Sequence, residues 1–156
     1  MDLYEDGDVR GTMFVKAPDD EVWWTTKYAG KSGSSPDYNN TPVIRLSEIY
    51  LNRAEAYAKL GKTNECIADL KAITSARGAS DAKATVNGVL DERWKELAWE
   101  GHLWFDLGRN KMAMTRTDYV GNEGGKTVTW PSNKWCLPIP LRETNVNNNL
   151  EPNPAY

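Results

Sequence analysis

The chain has 156 residues, 40% of them hydrophobic, with seven Trp and seven Tyr, enough for one domain with a real core and inconsistent with a disordered chain. Its 19 basic residues against 22 acidic ones give a net charge of -3, so there is no basic field to neutralise phosphates, and nucleic acid is excluded as a partner. No run approaches the roughly 18 apolar residues of a membrane span. With one His, two Cys and no Gly-rich phosphate loop, the composition offers no cofactor site, and Cys66 and Cys136, lacking framework spacing, read as unpaired.

Residues 1–42 mix Gly, Pro, Asp, Ser and aromatics. Short alternating runs at Gly11–Val15 and Val22–Tyr28 predict two short strands or extended segments, followed by a loop through Gly30–Pro36. Helical period begins at Arg45, with Ile49, Ala54, Ala56, Ala58 and Leu60 as the predicted apolar stripe and Gly61 as the stop. After the turn Gly61-Lys62-Thr63, Asn64 is the predicted cap of a second helix, with Ile67, Leu70, Ile73 and Ala76 recurring up to Gly78. So short a turn requires the two helices to form an antiparallel hairpin.

A third long helix is predicted from about Val86 to His102, with Leu90, Trp94, Leu97 and Gly101 on one side, continuing to Leu107 and stopping near Gly108. Residues 112–135 hold no sustained period and predict a loop with at most a short hairpin around Thr127–Trp130. The tail from Pro138 to Tyr156 carries Pro138, Pro140, Pro152 and Pro154, and is expected to wrap the helices as an extended segment without forming a helix.

The hairpin resembles a tetratricopeptide unit: Ala54, Tyr57, Gly61, Cys66, Leu70 and Ile73 fall where that repeat places packing and turn residues, with Cys66 where Ala is usual and Gly78 where Pro is usual. One such unit cannot bury both its faces, so further helices must pack on it.

Glu92, Glu96 and Glu100 stand four residues apart, a spacing at which like charges repel unless cations join them. Lys95 and Arg93 stand within three residues of them, Arg45, Arg53, Arg77 and Arg109 are available from elsewhere, and an ion-pair network tying the third helix to the hairpin is expected. A glycosidase pair is the competing reading, but carboxylates along one ridge do not flank a sugar from opposite sides. His102 and Asp106 could form a base and its orienting acid, yet no nucleophile is placed beside them, and a structural His at a helix end is the simpler reading.

Tyr50, Tyr57, Trp94, Trp99, Trp104 and Phe105 lie in helical periods and are expected in the core. Trp23, Trp24, Tyr28, Tyr38, Tyr119 and Trp130 lie in polar, Gly- or Ser-rich surroundings. They either cover the hairpin from outside or expose faces on which pyranose rings can stack, and Trp24, Tyr38, Trp130, Trp23 and Tyr28 are the platform candidates. Since Trp23 and Trp24 cannot face one way in a strand, at most one is platform and the other is core.

Five ordered stretches resemble the SusD/RagB-like outer-membrane glycan-binding lipoproteins. They are Asp8-Val9-Arg10; Lys27-Tyr28; Pro42 to Ala56; Glu92 to His102 with Trp104-Phe105-Asp106-Leu107; and Leu137-Pro138-Ile139-Pro140 with Glu143 and Asn153 to Tyr156. Leu103 and Trp94 depart from the family by standing where basic residues are common.

The resemblance implies a mainly α fold: a tetratricopeptide-like hairpin plus a third long helix, with an extended N-terminal segment (1–42), a helical region (43–110), and a loop and wrapping tail (111–156). It further implies that 1–156 is a single domain, the C-terminal part of a longer protein. Such a protein is non-catalytic, binds oligosaccharide at the cell surface without cofactor or metal, and delivers it to a TonB-dependent outer-membrane transporter. It meets the membrane only through a lipid anchor carried outside these residues. The alternative is a tetratricopeptide-like module that only docks on the transporter.

Overall fold

The computed structural model describes residues 3–16, 23–28, 42–116 and 126–155. They form two compact units, one through His102 and one from Leu103 onward.

In the first unit, α1 (Leu46–Lys59) and α2 (Thr63–Arg77) form the expected hairpin. Glu48 and Glu65 sit in their first turns and Lys59 and Arg77 in their last, each opposing the local end charge of its helix. Gly61 ends α1 with a left-handed φ of 69°, and the Gly61 and Lys62 N–H groups close on Ala58 O (3.2 Å) and Tyr57 O (2.9 Å). That closure fixes Lys62, and Cys66 N–H already donates to Lys62 O at 3.0 Å. The second helix therefore starts at Thr63 with Lys62 in the cap position, two residues ahead of the Asn64 cap the sequence suggested.

Leu51 and Ala54 from α1, Cys66, Leu70 and Ile73 from α2, and Val89 from α3 (Val86–Glu96) make the core. The tetratricopeptide-like positions Ala54, Cys66, Leu70 and Ile73 are thus all buried. The simple apolar stripe is not: Ile49, Ile67 and Leu60 are 46%, 43% and 70% exposed, and Ala76 is exposed. Ile49 lies about 160° around α1 from Leu51, so the hairpin closes on the other side of that helix.

The third helix is shorter than expected. It starts under a Thr85 cap, whose hydroxyl accepts from Gly88 N–H at 3.1 Å, and ends at Glu96. A turn, Leu97–Gly101, follows, and α4 (His102–Arg109) begins anew.

Ahead of the hairpin, Asp8 caps a 3-10 turn at Val9–Met13, and β1 (Phe14–Lys16) pairs antiparallel with β2 (Trp23–Thr25), Phe14 opposite Thr25 and Lys16 opposite Trp23. These are the two short strands expected there. Gly7 O approaches Gly78 so closely that a Cβ on Gly78 would sit 2.7 Å from it.

In the second unit, β3 (Met114–Thr115) pairs antiparallel with β4 (Thr127–Val128), the short hairpin expected, and a 3-10 turn follows at Asn133–Trp135. The tail differs from its expectation by forming a helix, α5 (Leu141–Val146). Proline excludes helix only from its interior; Pro140 stands at the cap, where its fixed φ favours a start. Asn153 Nδ2 then donates to both Asn133 O and Cys136 O at 3.0 Å, tying the tail down. Both thiols are free, Cys66 buried and Cys136 exposed.

Candidate functional site

The first unit is joined by a compact charge knot. The Asp8 cap accepts from Arg10 N–H at 3.0 Å, and the Arg10 guanidinium turns back on the same carboxylate through Nε (2.8 Å) and Nη2 (2.7 Å). Arg10 Nη1 reaches Glu92 Oε1 at 2.6 Å and Glu96 Oε2 at 3.2 Å. Glu96 also accepts from Arg45 Nη1 (2.6 Å) and from Arg77 Nε and Nη2 (3.0 and 2.8 Å), so three guanidinium groups share one carboxylate. Glu100 accepts from Arg45 Nε at 3.0 Å and pairs with Lys27 Nζ at 2.5 Å. Four carboxylates and four cations balance, and the carboxylate side chains are all at most 9% exposed. This is the network that the Glu92, Glu96, Glu100 spacing called for, with Lys27 and the Asp8–Arg10 pair added to the expected Arg45 and Arg77, while Arg53 and Arg109 pair instead with Asp69 and Asp106.

The electrostatics suit a joint and not a proton donor. Burial pushes the Glu96 carboxyl upward, but the hydrogen bonds from Arg77 and Arg45 outweigh it and hold the group at about 2. Glu100 and Asp8 behave alike: burial raises them, Arg45 and Lys27 or Arg10 bring them below the ordinary carboxylate range. A glycosidase acid needs the reverse shift, a carboxyl kept protonated near neutrality. A cleft of about 220 Å³ opens beside the knot, lined by Val9, Arg10, Met13, Lys27, Arg45, Arg77 and Glu96. The cations on its walls are already committed to carboxylates and carbonyls.

The same residues explain why the third helix stops. Lys27 Nζ donates to Ala98 O (2.7 Å) and Glu96 O (3.2 Å), Arg45 Nη2 to Glu96 O, and Tyr28 Oη to Trp99 O at 2.9 Å. Side chains from elsewhere thus occupy carbonyls that helical N–H groups would have taken. Trp99 consequently sits at a φ of +67°, a left-handed conformation that costs a bulky residue about 1–3 kcal/mol and persists only where its surroundings impose it.

The platform candidates are distributed as follows. Trp23 and Trp24 lie in β2, 44% and 51% exposed, so neither is core; the ribbon is only two strands of three residues, too small to bury a face. Tyr28, 37% exposed, follows β2 and is anchored by its hydroxyl on the Trp99 carbonyl. In the second unit Trp130 packs on Trp135 (ring centroids 5.8 Å apart), which packs on Trp104 (4.4 Å) and donates its indole N–H to Thr129 O. Tyr38 and Tyr119 lie outside the described residues.

Of the aromatics expected in the core, Trp94, Trp99 and Phe105 are exposed, while Tyr50, Tyr57 and Trp104 are half-buried. The half-exposed Trp99 was the residue that periodicity hid, because Leu97-Ala98-Trp99 is good helix sequence and only Gly101 hints at a break. His102 is half-buried at the start of α4, and Asp106 pairs with Arg109 at 2.8 Å.

A mainly helical frame built on a tetratricopeptide-like hairpin, with an ion-paired joint, is the class of protein that the fold defines. The chain belongs to the SusD family, whose model matches residues 4–156. It is 31% identical over 142 residues to the starch-binding protein SusD of Bacteroides thetaiotaomicron, a match covering 86% of this chain and 25% of that protein. A SusD superfamily protein of B. thetaiotaomicron superposes with a TM-score of 0.81 at 31% identity, over 96% of this chain and 38% of that one. Another, from Bacteroides vulgatus, gives 0.76 at 37% identity, over 96% and 36%. The chain therefore spans about a quarter of the curated relative and under two-fifths of the solved ones.

Proposed function

We propose that this chain is the C-terminal, mainly helical part of a cell-surface glycan-binding protein that binds oligosaccharide without cleaving it and delivers it to a TonB-dependent outer-membrane transporter. In this reading the whole protein is held at the outer membrane by a lipid anchor. The observation that carries it is the pairing of a charge-balanced knot, in which Asp8, Glu96 and Glu100 are held below the ordinary carboxylate range, with half-exposed indoles held on the same unit. Stacking on aromatic faces is how a site without reactive groups recognises a sugar ring. The starch-binding relative supports carbohydrate as the ligand class, with Trp24, Tyr38, Trp130, Trp23 and Tyr28 as candidate contacts.

The test is native electrophoresis of the chain through gels containing starch, laminarin, xylan or alginate, with chromatography of the polysaccharides after incubation. Retarded migration in at least one gel with no new reducing ends is expected. New reducing ends would sink the non-catalytic reading, and unretarded migration in every gel would sink glycan binding by this chain.

A second reading, a module that only docks on the transporter, draws on one observation. Arg53 lies over the Tyr50 and Tyr57 rings (5.4 and 6.0 Å) while it pairs with Asp69, and Tyr and Arg are the residues that dominate protein interfaces. Loss of transporter co-purification on Tyr50→Ala, with sugar binding intact, would support it.

A further inference from the structure

We infer that the sugar seat of this chain is the face of the β1–β2 ribbon that carries Trp23, with Trp99 as its second stacking ring; the inference rests on the glycan-binding reading above. The strand register decides the face. Residues directly opposite in an antiparallel pair share one side, and side chains alternate along each strand, so Phe14, Lys16, Trp23 and Thr25 stand together while Val15 and Trp24 stand on the other side. Phe14 is the ring that meets Trp99, at a centroid distance of 6.2 Å, and it is backed by Tyr4 at 5.3 Å. Trp99 therefore borders the Trp23 side of the ribbon.

The manner in which Trp99 is held sets it apart from an incidental surface residue. Its backbone is held in the left-handed region by donors from Lys27, Tyr28 and Arg45 to the carbonyls around it, yet the residue is 52% exposed. A strained bulky residue whose turn is held by three side chains, and which is itself half exposed, is arranged for contact with something outside. The chemistry of the face narrows what that is. Two indoles bordering a face on which Lys16 stands opposite Trp23 and Thr25 opposite Phe14 match a pyranose chain, which offers C–H faces to stack and hydroxyls to bond at its rim. Thr25 Oγ1 already accepts from Lys27 N–H at 3.1 Å, which leaves its own O–H to donate.

The test uses whichever polysaccharide retards the chain in the native gels described above. Trp99→Gly removes the ring and suits the left-handed backbone, so it preserves the turn. Trp99→Gly and Trp23→Ala are each expected to weaken retardation about tenfold, and Trp94→Ala, at an exposed Trp on α3, to change it less than about twofold. A melting curve establishes that each variant is folded. The wild-type chain supplies a second measurement free of folding effects: saturating polysaccharide is expected to shield Trp23 and Trp99, and not Trp94, from oxidation by N-bromosuccinimide, read by peptide mass.

Full binding by a folded Trp99→Gly chain, or oxidation of Trp99 undiminished by a polysaccharide that binds, overturns the seat while glycan binding stands. Retardation by no polysaccharide, in contrast, overturns glycan binding itself and the seat with it.

Discussion

Arg10 and Glu92, 82 positions apart in the sequence, meet at 2.6 Å with both side chains only 3% exposed. A pair so closed to solvent adds little net stability over an apolar substitute, because both charges lost their water, but removing one partner strands the other. Arg10→Met is therefore expected to cost about 3–5 kcal/mol by urea denaturation. A loss below about 1 kcal/mol would show that the knot relaxes around the vacancy.

The knot also predicts an acid-labile fold. Glu96 has a folded pKa of about 2 against an ordinary 4.5, and Glu100 and Asp8 are depressed as well. A carboxyl whose folded pKa is lowered contributes stability above its unfolded pKa and loses it as pH falls through the folded value. These groups leave stability level above about pH 5 and withdraw it from about pH 4.5 down to 2, Glu96 alone accounting for about 3 kcal/mol. Urea midpoints measured across that range should fall steeply, and more gently in Glu96→Gln.

The packing face of α2 is testable by contrast. Leu70, 1% exposed, is expected to cost about 2–5 kcal/mol on truncation to Ala. Ile67, three positions earlier and 43% exposed, is expected to cost under about 1 kcal/mol. Equal losses would mean that the hairpin closes on a different side than described.

Two glycines separate conformational strain from crowding. Gly61 and Gly78 have nearly the same left-handed φ, 69° and 68°, but a Cβ on Gly61 meets nothing within 4 Å, whereas one on Gly78 strikes the Gly7 carbonyl. Gly61→Ala is expected to cost about 1 kcal/mol, and Gly78→Ala distinctly more because backbone must move. Thermal denaturation of the two variants gives the comparison.

How far the sequence disclosed this fold depends on which forces are local. The hairpin was legible because turn length and the small and large residues at Ala54, Cys66, Leu70 and Ile73 are consequences of helix packing written at fixed spacing. The acidic ladder was legible because like charges at Glu92, Glu96 and Glu100 require partners. The end of α3 was not: nothing in Leu97-Ala98-Trp99 resists helix, and the interruption comes from Lys27, Tyr28 and Arg45, which are distant in sequence. The exposure of Ile49 and Trp94 was hidden likewise, since an apolar residue on a helix does not reveal which side its neighbours will occupy. Tyr38 lies outside the described residues, and its place among the candidate contacts rests on composition alone.

Glu96 being matched by guanidinium groups from three separate stretches sets a condition on assembly. A chain in which the Asp8–Arg10 turn has docked but Arg45 or Arg77 has not would hold an unmatched charge in a dry interior, and such half-formed states are disfavoured from either direction. The leading segment should therefore clasp the hairpin in a single event, so that amide protons of the Val9–Met13 turn and of the Leu97–Gly101 turn exchange with solvent together, at one shared rate.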